Sequence, residues 1–347
     1  RSGSGHASCD EGRQSGPGDR PSLSVLGPAG CKMDSMRLVL PAAGLAAAAG
    51  VVYYFLTKAP AVFLVKGQRK RARVVEVEEL SHDTKRIRLS LGSKGTILGL
   101  PVGKHIVIYC PNPKSCLASN KWNGKEDPDK GKQEIDRKYT PVTGNETPGY
   151  VDLVVKVYRP GKVKMPDGKE MEWADGGKCG LYLDSKKVGD FVEIMGPSGV
   201  NEYLGQGTFK LPGRTTTVKH VGMLAGGTGL TPMLQVAEAA IRDPKDTCRF
   251  SLIYANKTES DILCRKQLDD LEKRSGGRFK VHYTLDFPPA GWSHKAGFIT
   301  EGMIKECLPA PSSDTLVLMC GPPPMIEFAC KKNLAALGYA KEAMVAF

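Results

Sequence analysis

Residues Val218–Pro232, VKHVGMLAGGTGLTP, carry the clearest structural signal in the second half of the chain. Its apolar run VGMLA is typical of a buried strand, and the helical pattern TPMLQVAEAAIR follows a glycine-rich turn. Glycines in such a turn let the backbone approach a ligand, and the helix N-terminus behind it offers free N–H groups to a phosphate. Pro232 suits the first turn of that helix, but it stands where GxGxxG would have its third glycine. A tight turn without a ligand is therefore an equal alternative.

The alternation of strand and helix continues to the C-terminus. RFSLIYAN precedes ILCRKQLDDLEKR, FKVHYTLD follows, and TLVLMCG precedes PMIEFACKKNLAALG. This pattern predicts a parallel α/β sheet with crossover helices over residues 218–347.

Residues 74–202 follow a different pattern. The short β-branched runs RVVEVEEL, KRIRLSL, HIVIYC, GYVDLVVKVY and GDFVEI lie between turn signals, which predicts an antiparallel barrel or sandwich. Residues 203–217, which separate the two patterns, are interpreted as an interdomain linker. The predicted fold is thus a two-domain α+β chain.

The N-terminal part predicts a membrane anchor. Residues 1–35 are rich in Gly, Ser and Pro and are interpreted as a disordered or artefactual tail, with Met33 or Met36 as a possible start. The uncharged run Leu38–Leu56 is long enough to nearly span the ~30 Å hydrocarbon core. We therefore expect an anchor in residues 36–65 and a basic linker in 66–73, which orients the rest of the chain toward the cytosol. A cleaved signal peptide and a buried core helix are the alternatives.

Composition and motif spacing exclude several chemistries. In 347 residues, 49 Lys and Arg against 37 Asp and Glu give a net charge of +12, which permits anionic partners without choosing among them. The ten cysteines are scattered, as in a reducing compartment. The six histidines lack HxxxH or CxxC companions, so no metal site is expected. Neither GxSxG nor GxxxxGK[ST] occurs, which argues against the common hydrolase and NTPase sites.

Two residues of the second domain follow strands at the expected ligand edge of the sheet. Cys320 begins a CGPPPM run after the strand LVLM, and the rigid prolines would shape a pocket wall. Asp286 ends the strand VHYTL, where a carboxylate can accept hydrogen bonds from a ribose and repel a ribose phosphate. Packing for Cys320 and a helix cap for Asp286 are the alternatives.

Two short segments of the first domain suit anion binding. Arg137, Tyr139 and Thr143 alternate along RKYTPVT, so one strand face would present a cation, an aromatic ring and a hydroxyl. The turn Gly176–Gly180, GGKCG, precedes a helical pattern and is a second anion-receptive turn. Each signal is weak by itself.

Taken in order, these motifs resemble the NADH–cytochrome b5 reductase family of the ferredoxin-reductase-like flavoproteins. The resemblance runs from about Val74 to Phe347 and includes LPVGKH, RKYTPVT, VDLVVKVY, GPSG, GGTGLTPMLQ, LCRKQLDDL, YTLD and LMCGPPPMI. It implies an antiparallel β-barrel that binds FAD, followed by an α/β domain that binds NADH.

Residue roles on the FAD side come from this resemblance alone. It implies that Arg137 binds the FAD pyrophosphate, that Tyr139 packs on the flavin and that Thr140 hydrogen-bonds near its reactive nitrogen. The full implied FAD set is Arg137, Lys138, Tyr139, Thr140, Val155, Lys156, Tyr158, Gly177, Lys178, Cys179, Gly180 and Thr231. Gly180 departs from the usual GKMS, and losing that hydroxyl donor is expected to weaken FAD binding by about 0.5–1.5 kcal/mol. The segment 111–136 is longer than in similar proteins and is interpreted as a solvated loop.

The resemblance also implies an NADH set and a mechanism. The NADH set is Gly227, Thr228, Asp286, Phe298, Cys320 and Pro322, and the catalytic set is Thr140, Lys156 and Cys320. NADH would pass a hydride to FAD, and the flavin would pass single electrons to cytochrome b5 or a similar acidic haem protein. Asp286 would favour NADH over NADPH. Nucleic acid is not expected as a partner.

The rim of the flavin site is expected to steer that acidic partner. The candidate cations are Lys156, Arg159, Lys162, Lys164, Lys178, Lys186 and Lys187. The anchor would hold the enzyme on the endoplasmic reticulum or the mitochondrial outer membrane. A flavin reductase for another acceptor and a tethered binding protein without turnover are the alternative functions.

Overall fold

The structure is a computed structural model that describes residues 59–164 and 170–347. Ala59–Phe347 form one unit. The predicted tail and the apolar run Leu38–Leu56 lie outside the described residues. Within the described ranges, no helix has the length and apolar character needed to cross a bilayer.

The first half forms an antiparallel sheet around an apolar core. Its strands, in chain order, are β1 (Arg69–Ser81), β2 (Thr84–Ser90), β3 (His105–Pro111), β4 (Lys121–Trp122), β5 (Lys125–Glu126), β6 (Glu134–Tyr139), β7 (Tyr150–Lys156), β8 (Gly161–Lys164), β9 (Glu170–Trp173) and β10 (Phe191–Ser198). Six of them pair in the order β6-β3-β10-β1-β2-β7, so β6 and β7 are the edge strands. We call this sheet with its core the barrel. Side chains alternate between the two faces, and Ile87, Ile108 and Ile194 are fully buried between the strands and the helix α2 (Lys178–Asp184).

The domain starts earlier than the sequence predicts. Residues 66–73, expected as a linker, contain the start of β1, because Ala72 and Val74 point into the core while the alternating Arg71 and Arg73 point outward. Residues 59–65, expected as the end of the anchor, also belong to this domain. Phe63 and Leu64 donate backbone hydrogen bonds to the carbonyls of Ile97 and Leu98.

The segment between β3 and β6 is largely exposed, as predicted for residues 111–136, but it is folded, so its interpretation as a loop is wrong. We call residues 112–132 the strap. It contains the helix α1 (Lys114–Ser119) and the β4–β5 hairpin. Cys116, Asp127 and Asp129 are buried in it, because they bind one another and residues of the barrel.

Residues 203–217, predicted as a linker, are also regular structure. They form a three-stranded antiparallel sheet of β11 (Glu202–Gly205), β12 (Thr208–Leu211) and β13 (Arg214–Thr217). Tyr203, Phe209 and Leu211 are buried in the core of the second domain. The Tyr203 hydroxyl donates to the carboxylate of Asp246. This segment therefore packs as part of the second domain.

The second domain has the predicted parallel sheet with crossover helices. Its strands are β14 (His220–Gly226), β15 (Arg249–Asn256), β16 (Phe279–Leu285), β17 (Lys295–Ala296), β18 (Thr315–Cys320) and β19 (Met344–Ala346), and its helices are α3 (Leu230–Arg242), α4 (Arg265–Arg274), α5 (Glu301–Cys307) and α6 (Lys332–Ala336). The strand order is β17-β16-β15-β14-β18-β19. Because all pairs are parallel, the strand ends at Gly226, Asn256, Leu285 and Cys320 meet at one edge. We call this the carboxyl edge.

The two domains are joined by packing and hydrogen bonds. The side chain of Val154 in β7 is buried in the core of the second domain. Gln235 of α3 accepts from the Gly103 N–H at 2.7 Å and donates to the Lys104 carbonyl at 3.3 Å. These contacts place the end of β7 against the carboxyl edge.

Candidate active site

The glycine-rich turn is held against the end of β18. A Cβ on Gly229 would lie 2.1 Å from the carbonyl oxygen of Cys320, so only glycine fits there. Gly227 has φ +54°, in the left-handed region, and its carbonyl accepts from the Tyr254 hydroxyl at 3.0 Å. The backbone itself therefore shapes this turn.

The CGPPPM run forms the neighbouring wall. A Cβ on Gly226 would lie 2.6 Å from the Met325 sulfur and 3.1 Å from Pro322. Burial raises the pKa of the Cys320 thiol to about 11, so the thiol is neutral at physiological pH. Cys320 is thus suited to contact and packing, and a nucleophilic thiolate is disfavoured.

Two threonines follow in the turn and the helix. Thr231 is buried in the first turn of α3, and its hydroxyl donates to the Thr228 carbonyl at 3.2 Å. Thr228 is partly exposed beside Gly227. The turn that contains Gly227 and Thr228 therefore reaches Cys320 through the contact at Gly229.

Asp286 lies just beyond β16 at the carboxyl edge. Its N–H donates to the Asn256 carbonyl at 3.0 Å. Burial raises the pKa of the Asp286 carboxyl to about 6, with Lys257 lowering it and Asp261 raising it further. Phe298 is 61% exposed, so a ligand can cover its ring.

Asn256 is a residue at this edge that the motif analysis missed. Its side chain is buried, yet neither its Oδ1 nor its Nδ2 has a hydrogen-bond partner within the described part of the chain. Buried amides are normally paired. The Asn256 side chain lies between the Gly227 turn and Asp286. Its Oδ1 and Nδ2 could therefore pair with a polar ligand such as a nucleotide. Asn256 ends β15 and belongs to no binding motif, so the sequence gives no signal for it.

Lys156 connects the two domains at the end of β7. Its ammonium lies 2.8 Å from Asp83 of the first domain and 2.8 Å from Asp261 of the second. Burial lowers the pKa of Lys156, but the hydrogen bonds to Asp261 and Asp83 outweigh it, so the pKa is raised and the charge is kept. The ring of Tyr158 stacks on Trp173 with centroids 5.7 Å apart.

The FAD-side residues of β6 divide between the two faces of the strand. Arg137 and Tyr139 share the face that turns toward α2, and burial raises the pKa of Tyr139. Lys138 lies on the opposite, exposed face, apart from these two. Thr140 follows directly and is partly exposed. Val155 is fully buried in the barrel core, so only its backbone is available to a cofactor.

The turn Gly177–Gly180 opens α2 beside the same residues. Gly177 packs on Tyr158, with its N–H donating to the Tyr158 carbonyl at 2.8 Å. The Cys179 thiol faces Cys110 and the Tyr139 hydroxyl. A Cβ on Gly180 would lie 3.0 Å from the Lys156 carbonyl oxygen, so the serine of the family pattern would require a small shift there.

Two cations of the FAD set already have carboxylate partners from the strap. The Lys178 ammonium is buried 2.6 Å from Asp127, whereas Arg137, with 42% of its side chain exposed, lies 2.5 Å from Asp129. Arg137 thus remains accessible to a phosphate, while Lys178 does not. Neither carboxylate belongs to a sequence motif, so both become visible only in the fold.

The rim cations are mostly paired as well. Arg159 binds Asp184 at 2.6 Å and Lys162 lies 3.6 Å from Glu170. Lys186 lies over the ring of Tyr182, and Lys187 is exposed. The side chain of Lys164 lies outside what the structure describes.

These residues fit both cofactors. Arg137, Tyr139 and the turn before α2 converge at one place on the barrel. The carboxyl edge combines a glycine turn, an orphaned amide and a half-buried carboxylate. The first set suits a flavin dinucleotide and the second a nicotinamide dinucleotide.

Two family models match the chain. The Oxidoreductase FAD-binding domain model covers residues 71–123 and 125–203, and the Oxidoreductase NAD-binding domain model covers residues 223–331. The first range contains the Arg137 and Gly177–Gly180 segments, and the second contains most of the carboxyl edge.

Individual proteins are similar over most of their length. NADH-cytochrome b5 reductase 2 of Xenopus laevis is 44% identical over 296 residues, or 84% of this chain and 92% of that protein. NADH-cytochrome b5 reductase 1 of Homo sapiens is 44% identical over 276 residues, or 78% of this chain and 82% of that protein. The cytochrome b5 reductase domain of Ulva prolifera nitrate reductase has a TM-score of 0.72 at 38% identity, covering 83% of this chain and 100% of that chain.

Proposed function

Because the chain belongs to the NADH–cytochrome b5 reductase family, we propose that it passes electrons from NADH through FAD to cytochrome b5. Family membership makes the protein an oxidoreductase with FAD and NADH as its cofactors. The route of the electrons, the residue roles and the membrane attachment are the parts we propose.

The contact between β7 and the carboxyl edge carries this proposal. Lys156, at the end of β7 on the FAD side, binds Asp261 across the domain boundary. The turn Gly227–Gly229 packs against the same strand. Residues assigned to the flavin and to the nicotinamide therefore lie on two sides of one contact, as direct hydride transfer requires.

The barrel residues bind and orient FAD in this proposal. Arg137 holds the pyrophosphate, Tyr139 packs on the flavin ring and Thr140 hydrogen-bonds to its polar edge. When bound, FAD supplies the acceptor for a hydride and the donor of single electrons. The protein supplies position and a fixed charge at Lys156.

The carboxyl edge binds NADH. Gly227 and Thr228 allow the dinucleotide to approach, and Cys320 with Pro322 forms the wall against the nicotinamide. Asp286 accepts hydrogen bonds from the ribose hydroxyls and disfavours a 2′-phosphate through charge repulsion. No residue has to move a proton for this transfer.

Membrane attachment through Leu38–Leu56 places the enzyme near its partner. The run has the length of a bilayer span and basic residues on its C-terminal side, which favours a cytosolic orientation. This fits the endoplasmic reticulum or the mitochondrial outer membrane. Attachment of donor and acceptor to one surface raises their effective concentration.

Acceptor turnover tests the proposed electron route. The full chain loaded with FAD is assayed with NADH and either cytochrome b5, ferricyanide or a soluble quinone. We expect saturable reduction of cytochrome b5 that falls with added salt, because a basic enzyme and an acidic partner attract each other. Ferricyanide reduction without cytochrome b5 reduction would show a different physiological acceptor. Failure with all acceptors, despite bound FAD, would support a binding protein.

A further inference from the structure

The strap packs against the part of the barrel assigned to the FAD pyrophosphate. Residues 112–132 leave the sheet after β3 and return at β6, the strand that carries Arg137. The proposed function gives the strap no role. Its contacts are concentrated on Arg137 and on the turn that opens α2.

A buried ion pair fixes the strap to α2. The Asp127 carboxylate accepts from the Lys178 ammonium at 2.6 Å, from the Cys116 thiol at 2.6 Å and from the Asp129 N–H at 3.1 Å. The Lys178 side chain is 5% exposed and lies 5.3 Å from the centroid of the Trp122 ring. The Asp127 and Lys178 charges are therefore both shielded from water and neutralise each other.

The β4–β5 hairpin of the strap holds the turn before α2. The Trp122 indole N–H donates to the Gly176 carbonyl at 2.7 Å. The side-chain oxygen of Asn123 accepts from the N–H groups of Asp175 and Gly176 at 2.8 and 3.0 Å. This turn leads directly into Gly177–Gly180, so the strap fixes the backbone that faces the proposed pyrophosphate.

The strap also fixes the plane of the Arg137 guanidinium. Its Nη2 donates to Asp129 at 2.5 Å, and its Nη1 donates to the Asp136 carbonyl at 2.7 Å. A guanidinium has five N–H donors, so three remain for a phosphate once these two bonds are made. Paired recognition of phosphate oxygens depends on a fixed guanidinium plane.

The local charge also remains suitable for an anion. Lys178 lies 3.7 Å and Lys132 lies 3.4 Å from Asp129, in addition to Arg137. Within this ion-pair cluster, three cations face the two carboxylates of Asp127 and Asp129, so the cations outnumber the carboxylates by one. Asp129 therefore orients Arg137 without cancelling the attraction for a pyrophosphate.

We propose that the strap is a fixed wall of the FAD phosphate site and that Asp129 is a positioning residue for Arg137. This rests on the proposed placement of the FAD pyrophosphate at Arg137. Preorganisation of this kind strengthens binding, because the ordering of a long side chain is completed before the ligand arrives.

FAD retention tests the proposal without using turnover. The full-length holoenzyme is diluted in series, free FAD is measured by its fluorescence, and the dissociation constant is compared between variants. We expect Asp129→Ala to raise the constant about tenfold. Asp129→Asn keeps an acceptor oxygen and should lose less. Glu126→Gln is the control, since Glu126 is exposed in the same strap and binds only Lys130 among the described residues, and it should stay within about twofold.

A double-mutant cycle separates this proposal from the one on which it rests. Arg137→Gln must weaken FAD binding if the pyrophosphate lies there, and Asp129→Ala should add little in that background. If Arg137→Gln has no effect, the placement at Arg137 is wrong and the role of Asp129 falls with it. If Arg137→Gln weakens FAD but Asp129→Ala tightens it, or weakens it equally in both backgrounds, only the positioning role is overturned.

Discussion

The carboxyl edge and the strap are held in place by different interactions. The carboxyl edge is shaped by backbone: Gly229 lies against the Cys320 carbonyl, and Tyr254 fixes the Gly227 carbonyl. The strap is held by charges, chiefly the buried Asp127–Lys178 pair. A site shaped by backbone tolerates changes of charge but not of volume, and a site held by ion pairs responds in the opposite way. The following substitutions test that difference.

Removal of the Asp127 carboxylate of the strap should have the greatest effect on stability. Asp127→Ala removes the carboxylate that accepts from the buried Lys178 ammonium and leaves it, among the described residues, only Asp129 at 3.7 Å, which we expect to lower the free energy of unfolding by about 3 kcal/mol in urea titrations. Glu126→Gln, one residue away and exposed, should change it by less than about 0.5 kcal/mol. Equal stability of the two variants would contradict the role of the Asp127–Lys178 pair in fixing the strap to α2.

The same pair predicts the acid response of the protein. Burial by itself raises the pKa of Asp127, but the hydrogen bonds from Cys116 and Lys178 outweigh it and lower the pKa to about 2 from 3.8. A carboxyl with a lowered pKa stabilises the fold above about pH 4 and loses that contribution as the pH falls toward 2. Asp127→Ala should flatten this part of the stability profile.

At the carboxyl edge, the addition of a single methyl group should be enough to destabilise the fold. Gly229→Ala places a Cβ within 2.1 Å of the Cys320 carbonyl, so the strand end must move. We expect a loss of about 2–3 kcal/mol in unfolding free energy, with weaker NADH binding measured by titration. Gly302→Ala in α5 is the control, because its Cβ would meet nothing closer than 3.8 Å. A stable Gly229→Ala variant with normal NADH affinity would contradict the close packing.

Lys156 lies where the first domain meets the carboxyl edge of the second, and a matched lysine isolates its role. Lys156 and Lys85 each bind two carboxylates and are each 15% exposed, but only Lys156 binds across the domain boundary. We expect Lys156→Met to lower kcat/KM for NADH about tenfold, and Lys85→Met to change stability with little effect on turnover. Equal losses of turnover in both variants would remove the special role of Lys156.

Asp286 provides the charge at the otherwise backbone-shaped edge. Its pKa of about 6 means that the carboxylate is charged above that pH and neutral below it. We therefore expect discrimination against NADPH to fall roughly several-fold between pH 8 and pH 5.5, measured as the ratio of kcat/KM values. The 2′-phosphate also titrates near pH 6, so Asp286→Asn gives the baseline. A wild-type pH profile that matches Asp286→Asn would contradict this role.

The sequence predicted the carboxyl edge better than the strap for a physical reason. The glycine turn and the CGPPPM run are contiguous motifs whose backbone demands are local. Asp127 and Lys178 are 51 residues apart, and only the fold shows that they meet. The strap was interpreted as a solvated loop because its composition is polar, and composition does not reveal which charges are paired.

Two boundaries were missed for similar reasons. The arginines of residues 66–73 suggested a linker, although the alternating Ala72 and Val74 already have the period of a strand. The many turn residues in 203–217 suggested a linker, but this segment forms a small sheet. Its Tyr203 and Phe209 are buried in the core of the second domain. Asn256 carried no motif, and what marks it is a buried side-chain amide that has no hydrogen-bond partner among the described residues.

Anaerobic titration of the FAD-loaded full chain with NADH, followed by visible absorbance, shows whether the two cofactor sites meet. If the barrel and the carboxyl edge bring FAD and NADH together, the flavin bands should bleach with about one NADH per bound FAD. NADPH should require a much higher concentration at pH 8. Bound FAD that stays oxidised with excess NADH would show that the two sites do not meet as proposed.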